Sequence, residues 1–562
     1  MKSLFIISYC LLSFYSQNIF ANEPDWSINS NIPMGENRRN IYNLSPNDFE
    51  ATKTKGYIHA MNYPVTVTGL LIPYRPLLNF MNSKPTDPLK QLILSLGRNL
   101  SGFRTEKELY EWIGLSKNNG PNGQGIYKMP YPNGKVDQFY VGAGIIKNSH
   151  GEGLTFSCFA CHANNLFGVT VMGMTNKRPH SNRFFHMARM IVPNIPNQIF
   201  KASTDASDGE MLMFTRTKKN LVAIDGVIPQ VHGLDTSLPH VALSLARRNQ
   251  DEYASKNSSL ERYPRKNELE KFVADSKPMP WWNLKYKTRW LSDGSIVSGN
   301  PILTNFLWNE IGRGTDLVEL EAWMKSNSPI IKEITTAAFA TEAPLFTDFF
   351  PVTKINIERA KKGEVLFNQS CMQCHGEYQK AWSESYAINL SDVEKIKTTK
   401  VIYPEQTEVI DVGTDSNRYK AMKYFSDDLN NLAISKWMET KIEPQMGYVP
   451  PPLEGIWSRY PYFHNNSAPN LCAVLSLAKN RPRVFVMGPS LNKETDFDSE
   501  CIGYPVGNKI PKDWRQDSEA IMDTSKPGLR NIGHEKMLLT NKGVEKFSVE
   551  DKKAIIEFLK TL

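Results

Sequence analysis

The stretch Ser370-Cys371-Met372-Gln373-Cys374-His375-Gly376 contains the pattern C-x-x-C-H. Haem c is attached to proteins at this pattern, because two thiols two residues apart can add to the two vinyl groups of one porphyrin. The histidine that follows can then bind the haem iron. The pattern occurs a second time at Cys158-Phe159-Ala160-Cys161-His162. The sequence therefore predicts two covalently bound haem c groups, and the predicted iron ligands are His162 and His375.

Two other readings of a C-x-x-C pair are less consistent with this sequence. A redox-active pair is expected after a strand in a βαβ unit, and the sequence before Cys158 and Cys371 shows no such pattern. A zinc site needs a second pair of ligands. Cys472 and Cys501 are the cysteines left in the mature chain, and neither lies near a pair. An oxidising compartment favours a Cys472–Cys501 disulfide, with two buried thiols as the alternative.

The first 21 residues resemble an export signal. Lys2 supplies the positive start, Leu4 to Phe14 is a short apolar run, and Ile19-Phe20-Ala21 is a plausible cleavage site. The run is too short to span a bilayer comfortably, and no later stretch is long and apolar enough. We therefore expect a periplasmic or secreted mature protein without a membrane span, which agrees with haem attachment after export.

The length of 562 residues predicts more than one domain. We expect an N-terminal haem domain with wrapping extensions over residues 22–345 and a cytochrome c domain over residues 346–562. The net charge of +8 is modest for this size and suits docking with an acidic redox partner. No block rich in Lys and Arg is present, so the sequence does not indicate nucleic-acid binding.

The predicted fold is mainly α, with extensive irregular loops and two cytochrome-c-like haem domains. Asn356 is expected to cap a helix that runs into the second C-x-x-C-H pattern. Ser548, with Asp551 three residues later, predicts the start of a last helix that crosses this one. Residues 22 to about 90, rich in Asn, Pro and Thr, are expected to form irregular wrapping structure.

The sequence leaves the second ligand of the first iron open. Met172 and Met174 follow the first C-x-x-C-H pattern and could supply sulfur, although methionines at such spacing more often pack in a core. Four single histidines are further candidates, although such residues are more often hydrogen-bonded or on the surface. These four are His180, His186, His232 and His240.

Three longer motifs carry a family resemblance. They are PWWNLKYK at residues 280–287, GIWSRYPYFHNN at residues 455–466 and GLRNIGHEK at residues 528–536. Together with the two C-x-x-C-H patterns, they resemble the di-haem cytochrome c peroxidase superfamily, and most closely the rubber-oxygenase-like di-haem c-type cytochromes. The resemblance extends from about Gly142 to Leu562.

The resemblance implies roles for further residues. The first haem would have an open distal face, and Trp281 and Trp282 match the position of an aromatic near it, with Trp282 expected closer to the iron. The second haem would have two histidine ligands, and His534 matches the distal one. His464 is the runner-up, and Met487 is a third candidate. The related peroxidases also hold a calcium ion between their domains.

These observations predict an exported di-haem oxidoreductase. The open haem would activate dioxygen or peroxide, and the second haem would relay electrons to or from a periplasmic donor or acceptor. An apolar distal pocket would favour dioxygen and a small apolar substrate, whereas an acid–base residue there would favour peroxide cleavage. The alternative is an electron-transfer cytochrome without its own substrate, in which both irons would have two protein ligands.

Overall fold

The computed structural model describes residues 23–62, 71–120, 123–131, 140–235, 238–255 and 265–562. The predicted signal peptide, residues 1–21, lies outside the described residues. Within the described ranges, no helix combines the length and apolar character that a membrane crossing requires.

The chain is mainly helical with long irregular connections, as predicted. The α-helices span Pro46–Asn62, Tyr74–Asn82, Pro88–Ser101, Glu106–Ile113, Phe159–His162, Ser181–Ile191, Asn197–Thr204, Asp208–Val222, Leu238–Ala246, Pro301–Gly312, Leu317–Ser326, Ser328–Ala340, Ile357–Ser370, Met372–His375, Asp392–Lys395, Asn417–Ala421, Ser426–Asn430, Ala433–Trp437, Leu471–Val474 and Val549–Leu559.

The strands are short and pair antiparallel in small sheets. A three-stranded sheet leads directly into the first C-x-x-C-H pattern, and its strands span Ile72–Pro73, Ala143–Asn148 and Gly151–Phe156. The two-stranded sheets are formed by Ala163–Leu166 with Val169–Met172, Ile296–Ser298 with Lys441–Ile442, Glu377–Lys380 with Thr398–Ile402, and Val484–Val486 with Ile521–Asp523.

The prediction of irregular structure before residue 90 is wrong for a large part of that segment. Pro46–Asn62 is a helix, and it packs against the helix Ser328–Ala340. The two backbones approach closely at Gly56, where a Cβ atom would lie 2.0 Å from the carbonyl oxygen of Glu333. Most helical stability in proteins comes from such tertiary packing. The polar composition of this segment therefore concealed its helix.

Two predicted helices form around the second C-x-x-C-H pattern. Ile357–Ser370 ends one residue before Cys371, and the terminal helix Val549–Leu559 packs against it, as expected. A Cβ atom at Gly363 would lie 1.9 Å from the carbonyl oxygen of Ala554, so only glycine allows this crossing. The close crossing fixes the helix that delivers Cys371.

Both predicted helix starts are present as well. The Asn356 side chain accepts a hydrogen bond from the backbone N–H of Arg359. Ser548 and Asp551 form a reciprocal capping box at the start of the terminal helix.

Two large apolar clusters form the core. One packs around Cys158 and Phe159, and the other packs around Cys371. Each cluster contains residues from both sides of position 345, and the adjacent residues Trp281 and Trp282 lie in different clusters. The proposed domain boundary therefore stays a prediction. The favoured disulfide between Cys472 and Cys501 is formed.

Candidate haem sites

Both C-x-x-C-H patterns line one continuous cavity with a volume of about 440 Å³. The cluster around Cys158 contributes an apolar wall to this cavity, formed by Trp281, Leu284, Trp290, Leu291, Ile296, Ile302, Phe306 and Trp308. The cluster around Cys371 contributes a second apolar wall, formed by Phe367, Phe463, Leu453, Ile456, Leu471, Leu475, Ile555 and Leu559. The fold therefore brings two motifs that are far apart in sequence to one apolar space.

A short helix, Phe159–His162, presents the first motif to the cavity. The backbone beside it is held closely: a Cβ atom at Gly142 would lie 2.5 Å from the backbone nitrogen of Ala160. Burial lowers the pKa of His162 to about 4, and the nearby backbone of Met279 acts in the opposite direction. The imidazole is therefore neutral at ordinary pH, which is the form that binds a metal.

The second motif has a similar environment. Burial lowers the pKa of His375, and its Nδ1 hydrogen-bonds with the carbonyl oxygen of Pro451 at 2.9 Å. Since a carbonyl can only accept, Nδ1 carries the proton and Nε2 keeps its lone pair for the iron. Met279 and Pro451 both lie between two prolines in sequence. Each motif histidine therefore faces the backbone of a rigid, proline-flanked segment.

The ring of His534 faces that of His375, and the two ring centroids are 6.3 Å apart. An imidazole nitrogen lies about 2.0 Å from a metal that it binds, so two imidazoles on opposite sides of one iron have centroids roughly 6 Å apart. Burial lowers the pKa of His534 to about 3, and this ring is therefore neutral too. The spacing fits a haem held between two histidines.

Distant residues hold the loop that carries His534. The backbone N–H of His534 donates to the carbonyl of Val412 at 2.8 Å, and Arg481 donates to the carbonyl of Gly533 at 2.9 Å. Asn465 of the GIWSRYPYFHNN segment donates to the carbonyls of Gly528 and Arg530. The GIWSRYPYFHNN segment therefore supports the loop that carries His534.

Arg313 lines the cavity and pairs with Glu310. Four further buried or half-buried cations line it, namely Lys277, Lys287, Arg418 and Arg459. In the described part of the chain, no carboxylate lies within ion-pair distance of any of them. Two nitrogens of Arg418 have no hydrogen-bond partner there. Burial lowers the pKa of Lys287 to about 7, and the nearby Arg459 lowers it further.

Buried charges are normally paired, and an unpaired one is costly. The cavity therefore has the chemistry of a site for acidic groups. Each haem carries two propionates, so these four cations fit a cavity that holds haem carboxylates.

The cysteines also fit haem attachment. Among the described cysteines, the two outside the motifs pair in the disulfide, whereas all four motif cysteines are free. Burial raises the pKa of Cys158 and of Cys371 to about 12, and that of Cys161 to about 11. Buried thiols of this kind would remain protonated and inert unless the cavity held a reaction partner.

The structure places the two tryptophans in different surroundings. Trp281 lines the cavity, and its ring centroid lies 5.6 Å from that of His162. Trp282 is fully buried in the other apolar cluster, where its Nε1 donates to the carbonyl of Glu454 at 2.9 Å. Trp281 is thus the one of the pair that packs beside His162, because adjacent residues of this short 3₁₀ turn point to different sides. Which of the two lies nearer the first iron stays a prediction.

Five of the six second ligands proposed for the first iron lie outside the cavity. Met172 and Met174 are buried outside the cavity wall. His180 and His232 contact each other outside the cavity, and His186 does not line it either. His240 lines the cavity, but its Nε2 is hydrogen-bonded with the carbonyl of Gly312 at 2.6 Å.

The alternatives to His534 are also placed differently. His464 lines the cavity, but it stacks on Tyr448 with ring centroids 3.8 Å apart. Met487 is buried in the core and does not line the cavity. Of the three candidates, His534 is the one whose ring faces His375. The calcium ion stays a prediction.

Comparison with known proteins supports a cytochrome-c-like region. A family model described as RoxA-like, cytochrome c-like matches residues 447–486. This stretch includes Pro451, whose carbonyl contacts His375, and Arg459, which lines the cavity. It also includes Arg481, which holds the loop that carries His534. The match supports the resemblance to rubber-oxygenase-like cytochromes coarsely. It does not show a relationship to the wider di-haem peroxidase superfamily.

Two relatives from Sinorhizobium fredii are similar over part of the chain. Uncharacterized protein y4iJ is 35% identical over 123 residues, which are 22% of this chain and 19% of that protein. Uncharacterized protein y4iM is 24% identical over 243 residues, which are 37% of this chain and 49% of that protein. The chain thus matches at most about half the length of these relatives.

Sequence reasoning missed the cavity cations and the carbonyls behind the motif histidines. Lys287 and Arg459 do lie within two of the three longer motifs that carry the family resemblance. A charged residue inside such an aromatic-rich motif could have indicated that these two cations are buried at the site. Lys277 and Arg418 have no comparable signal in the sequence.

Proposed function

We propose that the protein is a di-haem c-type cytochrome that acts as an oxidoreductase. Cys158, Cys161 and His162 would hold the first haem. Cys371, Cys374 and His375 would hold the second haem, with His534 as its other iron ligand. Haem at the first site would supply activation of dioxygen or peroxide, and haem at the second would relay electrons.

One observation carries the proposal: a single cavity joins two C-x-x-C-H motifs whose second ligands differ. A histidine, His534, faces His375 across this cavity. Of the second ligands that the sequence suggested for His162, five do not line the cavity, and His240, which does, has its Nε2 occupied by the carbonyl of Gly312. The difference favours one closed haem and one haem that is open to a small molecule.

The apolar wall near the first motif favours dioxygen and a small apolar substrate. Aromatic and aliphatic side chains such as Trp290, Ile302 and Phe306 form it. Such a wall excludes water and binds apolar molecules by burying their surface. Trp281 packs beside His162 and would fix the orientation of that ring.

An electron carrier without its own substrate is the alternative, and it would need a second protein ligand at both irons. The placement of Met172 and Met174 outside the cavity argues against a sulfur ligand at the first site. We further propose that the protein works after export, with an acidic periplasmic electron donor or acceptor that the net charge of +8 would attract.

Optical and EPR spectra of the purified protein test the proposal. They should be recorded as isolated, after reduction, and after reduction with carbon monoxide. We expect one high-spin iron that takes up carbon monoxide and one low-spin iron that does not. Two low-spin irons that both ignore carbon monoxide would contradict the enzyme and support an electron carrier.

A further inference from the structure

Three lone pairs converge outside the haem cavity. Nε2 of His180 lies 3.1 Å from Nδ1 of His232 and 3.1 Å from Oε2 of Glu519. These three ligand atoms lie within 4.8 Å of one another, and they form the one such histidine-containing group found among the described residues. The two short distances are close to those between neighbouring ligand atoms around a four-coordinate ion.

The hydrogen bonds of the two rings fix where their protons are. Nδ1 of His180 contacts the carbonyl oxygen of Trp112, which can only accept, so this nitrogen carries a proton. Nε2 of His232 lies 2.9 Å from a carboxylate oxygen of Asp517 and 3.2 Å from Nη2 of Arg178, which can only donate. The contact with the carboxylate is the shorter one, and it favours a proton on Nε2. In the neutral rings, Nε2 of His180 and Nδ1 of His232 are then both acceptors, and they face each other and a carboxylate. Neither a proton nor a cation then lies between these three acceptor atoms.

We propose that His180, His232 and Glu519 bind a divalent transition-metal ion, and Zn²⁺ fits them best. Two imidazoles and one carboxylate form a common zinc ligand set, in which a water molecule takes the fourth position. Ligating histidines usually donate their other N–H to a carbonyl or a carboxylate, as His180 does to Trp112 and His232 to Asp517.

A proton is the competing occupant. It would make His180 an imidazolium that donates to Glu519. Burial lowers the pKa of both histidines, that of His232 to about 4, and the guanidinium groups of Arg178 and Arg183 add to the effect. These arginines also pair with Asp517 and Glu519, and they oppose any added cation. A zinc ion would contact all three ligand atoms at once, and these three contacts would oppose the repulsion.

The site would join distant parts of the chain. His180 immediately precedes the helix Ser181–Ile191, and Glu519 lies in the turn Ser518–Ala520. The Ser181 hydroxyl lies 3.7 Å from the sulfur of Cys161. A metal ion here would fasten the C-terminal part of the chain to the support of the first motif. This inference does not depend on the proposed oxidoreductase activity.

Metal binding can be measured on the purified di-haem protein. The protein is treated with dipicolinate, dialysed, given one equivalent of ZnCl₂ and desalted, and zinc is then measured relative to protein. We expect one zinc ion per chain and a zinc-edge X-ray absorption spectrum with two imidazoles and no sulfur. Glu519→Gln and His180→Gln should weaken zinc binding at least tenfold in competition with a chelator.

His59→Gln is a matched control, because His59 forms a histidine–carboxylate contact with Glu333 at 2.8 Å outside this group. It should bind zinc as the wild type does. Glu519 is more exposed than the histidines, so Glu519→Gln keeps the test valid if His180→Gln does not fold. Wild-type protein that retains no zinc, zinc binding unchanged in Glu519→Gln, or sulfur ligation would each overturn the proposal.

Discussion

The imidazoles of His375 and His534 face each other across the cavity with ring centroids 6.3 Å apart, although many elements separate the two residues along the chain. Pro451 orients the first ring through its carbonyl oxygen. Arg481 and Val412 hold the loop that carries the second. The two rings are thus fixed from opposite sides, as a ligand pair must be if it is to hold an iron without large rearrangement.

His534→Ala should open the second haem. Loss of this imidazole should convert a low-spin iron into a high-spin one that takes up carbon monoxide, because His534 is the one candidate ligand among the described residues whose ring faces His375. EPR and optical spectra measure the change. His464→Gln is the control and should leave the low-spin signal in place, since that ring stacks on Tyr448. A low-spin signal lost in His464→Gln and kept in His534→Ala would reverse the assignment.

Trp281→Phe and Trp282→Phe should have different effects. Trp282→Phe removes a buried hydrogen bond to Glu454 and leaves a small cavity, so it should lower the free energy of unfolding by about 1–3 kcal/mol. Trp281→Phe should instead alter the spectrum of the first haem, because Trp281 packs on His162. Urea unfolding and optical spectra separate the two effects. Equal spectral changes in both variants would contradict the placement.

Lys287→Met should lower the midpoint potential of one haem. A buried cation near the propionates stabilises the electron that reduction adds, and its removal favours the oxidised state. Spectroelectrochemical titration measures the shift. Lys285→Met is the matched control from the same segment, because Lys285 pairs with Glu454 at 3.0 Å. Identical potentials in Lys287→Met and wild type would show that this cation does not interact with a haem.

Asp551→Asn should destabilise the terminal helix in a pH-dependent way. Hydrogen bonds from Lys362 and Ser548 lower the pKa of Asp551 from 3.8 to about 2. Because the folded-state pKa is depressed, the ionised carboxylate stabilises the fold above pH 4, and this contribution disappears as the pH falls towards 2.

The loss in Asp551→Asn at pH 7 should be about 0.5–1 kcal/mol, which is the usual size for a helix cap with an exposed ion pair. Urea unfolding at pH 7 and at pH 2 measures it. A difference from wild type that persists unchanged at pH 2 would contradict this origin.

Replacing both Cys472 and Cys501 by serine should destabilise the protein. The disulfide joins residues separated by 29 positions. Closing a loop of this length restricts the unfolded chain by about 3–4 kcal/mol in the chain-entropy model. Urea unfolding with and without a reductant checks this: the reductant should lower the wild-type midpoint and leave that of the double variant unchanged.

The sequence alone determined the features that depend on neighbouring residues. The two C-x-x-C-H patterns each lie within five residues, and the caps Asn356 and Ser548 act on backbone N–H groups three residues away. Local hydrogen bonding and covalent spacing decide such features, so they can be recognised in any chain. The motif with the family resemblance also singled out His534, although its position opposite His375 became visible only in the fold.

The tertiary structure decided which side chains share the cavity. It placed Trp281 there and Trp282 in the core, and it gathered Lys277, Lys287 and Arg418 from separate segments. It also made a helix of Pro46–Asn62, whose composition did not predict one. Burial and charge pairing depend on the other segments that pack nearby, and no pattern of adjacent residues records which ones those are.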